Sequence, residues 1–352
     1  MTNKYNLYDL GWNERLEKEF EQYRNFYSVG RIAVEYKNLY KVYSEQGNIL
    51  ASVSGKMINS ASGRQDYPAV GDWVILDKIK ENDDRTIIHE ILSRKSKFSR
   101  KIAGRTFEEQ IIATNVDIAF LCMSLNNNFN LRRLERYITM AWDSGSKPVI
   151  LLTKADLCDD IEEKLKQVRE ISFGIDVHFI SCIHKLGITH INEYINKGIT
   201  LAFLGSSGVG KSTIINELLG ENRQVTKEVS NIGEKGKHTT TNRELMLLPN
   251  GGVVIDTPGM RELHVLDVSD SIETAFEDIE ELSLQCKFSD CTHTTEPKCA
   301  VINAINNGIL SKERYESYMK LKKEAEYTER KLNRKAAMEY KNYVKKLSKS
   351  LR

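Results

Sequence analysis

No apolar run in this 352-residue chain approaches the about 18–20 residues that a membrane span requires, so nothing in it reads as a transmembrane segment. The opening stretch, Met1-Thr-Asn-Lys-Tyr-Asn-Leu-Tyr-Asp-Leu-Gly-Trp12, lacks the basic-then-apolar layout of a secretory leader. The expectation is therefore a cytoplasmic protein whose thiols stay reduced, in which clustered cysteines hold metal more readily than they pair as disulfides. A strong charge of either sign is also missing, with 51 Lys and Arg against 49 Asp and Glu. That balance belongs to soluble globular proteins, and the length leaves room for about two to three domains.

The near-neutral total hides two basic stretches. Residues 311–352 carry fourteen Lys and Arg against six Asp and Glu, and Arg94, Lys95, Lys97, Arg100, Lys101 and Arg105 precede any acidic residue until Glu108. Local positive fields on a neutral chain point to a polyanion such as nucleic acid; a solvated helix and a charged linker would look the same.

Along the chain the texture changes three times. Residues 1–27 form an extension with Leu10, Trp12, Leu16, Phe20 and Tyr23 at helical spacing, which fits a small helix packed on a neighbour. Residues 28–97 contain five short strand patterns separated by Gly47, Gly55, Gly63, Pro68 and Gly71, which suits a small β-barrel of the oligonucleotide-binding (OB) kind. From 98 to 267 apolar strands such as Val116–Cys122 and Lys147–Leu152 alternate with helical stripes, the signature of a parallel α/β sheet covered on both faces. Residues 268–352 read as helices around a cysteine cluster.

The most specific motif is Gly205-Ser206-Ser207-Gly208-Val209-Gly210-Lys211-Ser212, followed by Thr213, between an apolar strand and a helix. It fits the phosphate-binding loop: glycines let the backbone N–H groups close on a phosphate, Lys211 reaches the β- and γ-phosphates, and Ser212 offers a hydroxyl to Mg²⁺. Thr153-Lys154-Ala155-Asp156 ends another strand, where the Asp156 carboxylate can accept from guanine N1–H and its exocyclic amine. Adenine offers no such donors and would cover that carboxylate unpaired. Asp256-Thr-Pro-Gly259 ends a third strand and can hold Mg²⁺ through its carboxylate and face the γ-phosphate with the Gly259 N–H. Farther on, Cys286, Cys291, His293 and Cys299 place three thiols and an imidazole within fourteen residues. Four such ligands suit a closed tetrahedral Zn²⁺ site, structural rather than catalytic.

Taken together, the set resembles the RsgA (YjeQ-type) GTPases, in which the guanine-nucleotide motifs are circularly permuted. The base-reading Thr153–Asp156 and the base loop Ser181-Cys182 come before the phosphate loop, then Gly236-Lys-His-Thr-Thr-Thr241, then Asp256–Gly259. The resemblance spans roughly residues 28–307. It implies an OB-like barrel, a central permuted P-loop GTPase domain and a C-terminal zinc-binding helical domain. It also implies a monomeric, cytoplasmic enzyme that hydrolyses GTP to GDP, acts in maturation of the small ribosomal subunit and contacts its rRNA, with no membrane partner. The family pattern assigns catalysis to His238 beside Lys211, and makes Thr240 or Thr241 the switch threonine on Mg²⁺ with Ser212 and Asp256.

Two residues depart from that pattern. Thr153 replaces an Asn whose amide ties base loop to phosphate loop, and Met260 replaces a water-orienting Gln, so unaided hydrolysis should be slow. Two alternatives remain open at this level: an RNA-binding scaffold that keeps GTP as a structural ligand, and an ATP-dependent kinase sharing the same loop.

Overall fold

The computed structural model describes residues 4–80, 83–101, 109–220, 243–256, 275–288, 291–294 and 296–323. The chain forms two compact units; the first holds everything described up to Asp256, the second the described residues from 275 onward.

In the first unit the barrel is built from β1 (Tyr27–Tyr36), β2 (Leu39–Ser44), β3 (Gly47–Val53), β4 (Trp73–Asp77) and β5 (Arg85–Ile91). Their order is β1-β2-β3-β5-β4, and β1 also pairs with β4, so the sheet closes on itself. All neighbours are antiparallel except β3 and β5. Alternation puts Ile32, Val42, Ile49, Ala51, Val74, Leu76 and Ile88 inside, where they form the barrel core.

The extension contributes a helix at Glu14–Phe20, capped by the Asn13 side chain accepting from Arg15 and Leu16 N–H. Its stripe behaves as expected: Leu10, Trp12, Leu16 and Phe20 are buried, and the Trp12 ring meets Trp73 of the barrel edge-on with centroids 4.9 Å apart. Beneath it lies Arg31, wholly buried. Its guanidinium donates to the carbonyls of Leu10, Gly71 and Asn115 and to the Thr200 hydroxyl. Burial pulls its pKa down to about 10, opposed by Asp117 and Asp72, so it stays charged at neutral pH.

The basic stretch, read from sequence as a linker, is instead a hairpin of β6 (Lys97–Lys101) on β7 (Glu109–Thr114). Several of its cations are also already paired. Arg94 forms a two-pronged bond to buried Asp72, Lys95 pairs with Asp117 at 2.6 Å, and Lys97 pairs with Glu109 at 2.9 Å. The field that stretch offers a polyanion is correspondingly smaller than the sequence implied.

The α/β part holds β8 (Ile118–Ser124), β9 (Lys147–Thr153), β10 (Asp176–Ile180), β11 (Thr200–Leu204), β12 (Glu244–Leu247) and β13 (Val253–Asp256). The order is β10-β9-β8-β11-β13-β12; all pairs are parallel except β12–β13. β8, β9 and β11 are buried almost throughout, which explains their unbroken apolar runs. Helix Leu131–Ser144 shows how sharply the sequence marks its ends: the Asn130 side chain accepts from Arg133 N–H, and Gly145 closes it with φ 82°.

One feature is not legible from periodicity. β12 also pairs with β1, so that, among the described residues, barrel and α/β strands share one eleven-stranded sheet. In the second unit, helix Glu277–Leu284, helix Ala300–Asn306 and helical residues 312–323 enclose Phe276, Ile279, Val301, Tyr318 and Leu321. Arg314 is nearly buried there, bonded to Asp278 and lying over the Phe276 ring. Among the described residues no helix is long and apolar enough to cross a membrane.

Candidate nucleotide site and metal centre

Register brings the separated motifs to one edge of the sheet. Ser124 of β8 pairs with Thr153 of β9, which pairs with Ile180 of β10, while Leu121 pairs with Leu204 of β11. The segments that follow these strands, 154–156, 181–182 and 205–212, therefore emerge together at their carboxyl ends, the edge where open α/β sheets bind ligands. Asp256 ends β13 on the other side of β11.

The phosphate loop starts at Gly205, where an added Cβ would lie 2.6 Å from the Cys122 carbonyl oxygen, so only glycine fits. Gly210, at φ 106°, caps the helix Lys211–Leu219. Lys211 Nζ donates to the carbonyls of Gly205 at 2.6 Å and Ser206 at 2.8 Å, which folds the ammonium back over the loop. Val209 is buried; Ser207, Gly208 and Thr213 are exposed, and Ser206 and Ser212 are half-buried. Cys122 beneath the loop is buried, which pushes its thiol up to about 12 and keeps it neutral.

The substituted Thr153 is itself buried, and its Oγ1 donates to the Val209 carbonyl at 2.6 Å. The hydroxyl therefore ties the base-side strand to the phosphate loop by one bond. Replacing Thr153 with Val keeps the shape but leaves that carbonyl unpaired, a cost of about 1–3 kcal/mol. We expect GDP affinity of the Thr153→Val variant to fall at least fivefold in a fluorescent-nucleotide titration; unchanged affinity would remove the tie from the site.

Lys154 adopts the left-handed conformation, φ 56° and ψ 41°, and Ala155 is buried, which turns the chain so that Asp156 faces solvent. The carboxylate is exposed rather than enclosed. Ser181, buried, donates its Oγ to Asp156 Oδ1 at 2.6 Å and thereby joins the segment after β10 to the segment after β9. A Ser181–Leu186 bridge closes that loop, and Gly187 sits where any Cβ would strike the Phe179 carbonyl. Burial pushes the adjoining Cys182 thiol up to about 11.

Sequence reasoning missed Asn128. Its Nδ2 donates to Ser206 Oγ at 3.2 Å, and its Oδ1 accepts from Arg133 Nη1 at 3.0 Å, so it braces the phosphate loop from the β8 side. The available signal was three consecutive asparagines, 126–128, directly after a buried strand. His238, Thr240, Thr241, Gly259 and Met260 lie outside the described residues.

In the second unit, Cys286, Cys291, His293 and Cys299 bring their ligand atoms within 4.8 Å of one another. Cys286 Sγ and Cys299 Sγ are 3.8 Å apart, far beyond a disulfide bond of about 2.05 Å. That spacing matches the edge of a tetrahedron with metal–sulfur bonds of about 2.3 Å. His293 Nδ1 lies 3.4 Å from Cys299 Sγ and 3.6 Å from Cys286 Sγ, while its Nε2 faces Ser283 Oγ at 3.1 Å. Nδ1 thus points into the cluster and the other ring nitrogen is anchored outside it. Backbone N–H groups of Ala300 and Ile302 donate to the Cys286 and Cys299 sulfurs. The donor set fits a metal ion.

Comparison with known proteins decides the family. The model of the RsgA GTPase family matches residues 91–266. The chain belongs to the RsgA GTPase family. Among RsgA relatives, "Small ribosomal subunit biogenesis GTPase RsgA 2" of Lactiplantibacillus plantarum is 46% identical over 299 residues, spanning 85% of this chain and 84% of that one. The Methanosarcina acetivorans protein named "Small ribosomal subunit biogenesis GTPase RsgA" is 42% identical over 321 residues, 91% of this chain and 86% of its own. Crystal structures agree in fold. YjeQ from Thermotoga maritima superposes with a TM-score of 0.64 at 26% identity, covering 85% of this chain and 98% of that one. YloQ, described as a circularly permuted GTPase, gives 0.59 at 27% identity, covering 85% and 95%. This RsgA-family chain is a GTPase, and its permuted motif order, barrel and Cys/His cluster are those expected from the sequence.

Proposed function

We propose that this protein binds and hydrolyses GTP while docked on the small ribosomal subunit, and that it assists the subunit's late maturation in the cytoplasm as a monomer. The supporting observation is the pair of hydrogen bonds, Thr153 to Val209 and Ser181 to Asp156, that tie base-reading and phosphate-binding segments together on one sheet edge. In this reading Asp156 reads guanine, the Lys154 stem covers the base plane, and Ser181 and Cys182 complete the base pocket. Residues 205–213 wrap the phosphates, with Lys211 swinging from its carbonyl partners to the β- and γ-oxygens. Ser212, Thr240 and Asp256 supply the hard oxygen ligands that suit Mg²⁺, which when bound offsets phosphate charge. Gly259 faces the γ-phosphate and His238 serves hydrolysis. Zn²⁺ in the Cys286–Cys291–His293–Cys299 site holds the C-terminal module.

Division of labour follows the segments: 28–97 and the basic residues beyond 311 meet rRNA, 98–267 carries the nucleotide, and 268–352 carries the metal and responds to the switch. With Met260 in place of a Gln, turnover depends on the ribosome. The test is GTP turnover with and without purified small subunits, at two salt concentrations. We expect slow basal turnover, stimulation by subunits that weakens as salt rises, and loss of both in Lys211→Ala. Stimulation that is absent in the wild type, with GTP still bound, would instead favour a scaffold holding GTP as a structural ligand.

A further inference from the structure

Among the described residues, β12 is the strand that joins the barrel sheet to the α/β sheet by backbone pairing. Glu244 pairs with Val34 of the barrel on one side and with Asp256, the magnesium-side carboxylate, on the other. The contact is reinforced by side chains. Arg243, immediately before β12, places Nη1 3.3 Å from Glu35 Oε2 of β1 and donates to the Ile111 carbonyl of β7 at 3.3 Å. Tyr43 of β2 donates its hydroxyl to the Leu245 carbonyl at 3.3 Å. Arg243 is only 13% exposed and Glu35 35%, so this is not a loose surface pair. Burial pushes the Glu35 carboxyl up, and the charges of Arg243 and Arg64 pull against it.

We infer that Arg243, held by Glu35 and Ile111, is a positioning residue that transmits the seating of the barrel and of the β6–β7 hairpin to the strand beside Asp256. The inference rests on the reading that the barrel side meets the ribosome. Three elements converge on one guanidinium: the barrel, the hairpin that carries the basic stretch, and the strand paired with Asp256. A shift of the first two moves the third because Nη1 of Arg243 contacts each of them at 3.3 Å, while its own backbone runs directly into β12. Coupling of this kind is reciprocal, so the nucleotide must in turn alter β1.

Two measurements on the full-length protein test it. The first needs no ribosome: amide hydrogen exchange across β1 with GDP and with a non-hydrolysable GTP analogue. We expect exchange of residues 30–36 to differ at least fivefold between the two nucleotides in the wild type, and less than twofold in Arg243→Gln and Glu35→Gln. The second compares turnover alone and with small subunits. Both variants should keep basal turnover and subunit binding within twofold of wild type, while stimulation falls at least fivefold. The coupling is wrong if β1 exchange ignores the nucleotide, if the variants retain the difference, or if basal and stimulated rates fall together. A wild type that subunits do not stimulate, yet whose β1 responds to nucleotide through Arg243, would overturn the ribosomal reading and leave the coupling standing.

Discussion

Stripping the metal, or replacing Cys299 with Ser, is expected to unfold the second unit while the first still binds GDP. Structural zinc sites contribute on the order of 10 kcal/mol to folding, more than a core as small as that around Phe276, Ile279 and Val301 supplies. Cys299 is the most consequential of the four cluster residues because it does two things. It is buried at the cluster, and its sulfur caps helix Ala300–Asn306 by accepting from Ile302 N–H. Its loss removes a ligand and uncaps the helix that follows. The measurement is zinc content by a metallochromic indicator, with helical circular dichroism and proteolysis of the region beyond residue 275 before and after chelation. One equivalent of zinc, lost together with helicity, is the expected result. Helicity that survives complete removal of zinc would show that the cluster does not hold this unit together.

Asp156→Asn should cost GDP at least 100-fold in affinity. Two charge-assisted hydrogen bonds to the base are each worth about 1.5–3 kcal/mol, and the substituted amide points an N–H donor at guanine's own donors. The same donor matches a carbonyl, so xanthosine diphosphate, which carries one in place of the exocyclic amine, should gain on GDP. Because Asp156 is exposed, the variant's melting temperature should stay close to that of the wild type. Competition titrations with GDP, xanthosine diphosphate and ADP decide the matter. Selectivity left as it was would take base reading away from Asp156.

Much of this molecule could be read from local pattern. Glycine placement and the Lys-Ser ending made the phosphate loop plain, because few other requirements on a chain call for those residues in that register. The barrel's five strands and the clustering of Cys286, Cys291, His293 and Cys299 were legible for the same reason: alternation and ligand chemistry are local. Contacts that depend on how distant segments meet were not. Nothing around Thr153 announces that its hydroxyl reaches Val209, and nothing around Arg94 or Lys95 says that Asp72 and Asp117 neutralise them. Asn128 looks like a loop residue until β8 is laid beside β11. The junction of β1 with β12 joins residues about two hundred positions apart, a distance over which no periodicity carries information.

Arg31 sets a limit on how the protein can come apart. Its four acceptors belong to the N-terminal extension, the turn before β4, the end of the hairpin and the first residue of the strand that leads to the phosphate loop. None of these can detach without stranding a cation away from water, which is among the costlier events in a folded protein. Extension, barrel and nucleotide sheet should therefore melt in a single cooperative transition rather than as beads on a string. For the same reason the barrel is poorly suited to exchange as a cassette between proteins. A transplanted barrel would carry Arg31 and Gly71 with it, but would leave behind the Leu10, Asn115 and Thr200 acceptors that the guanidinium needs.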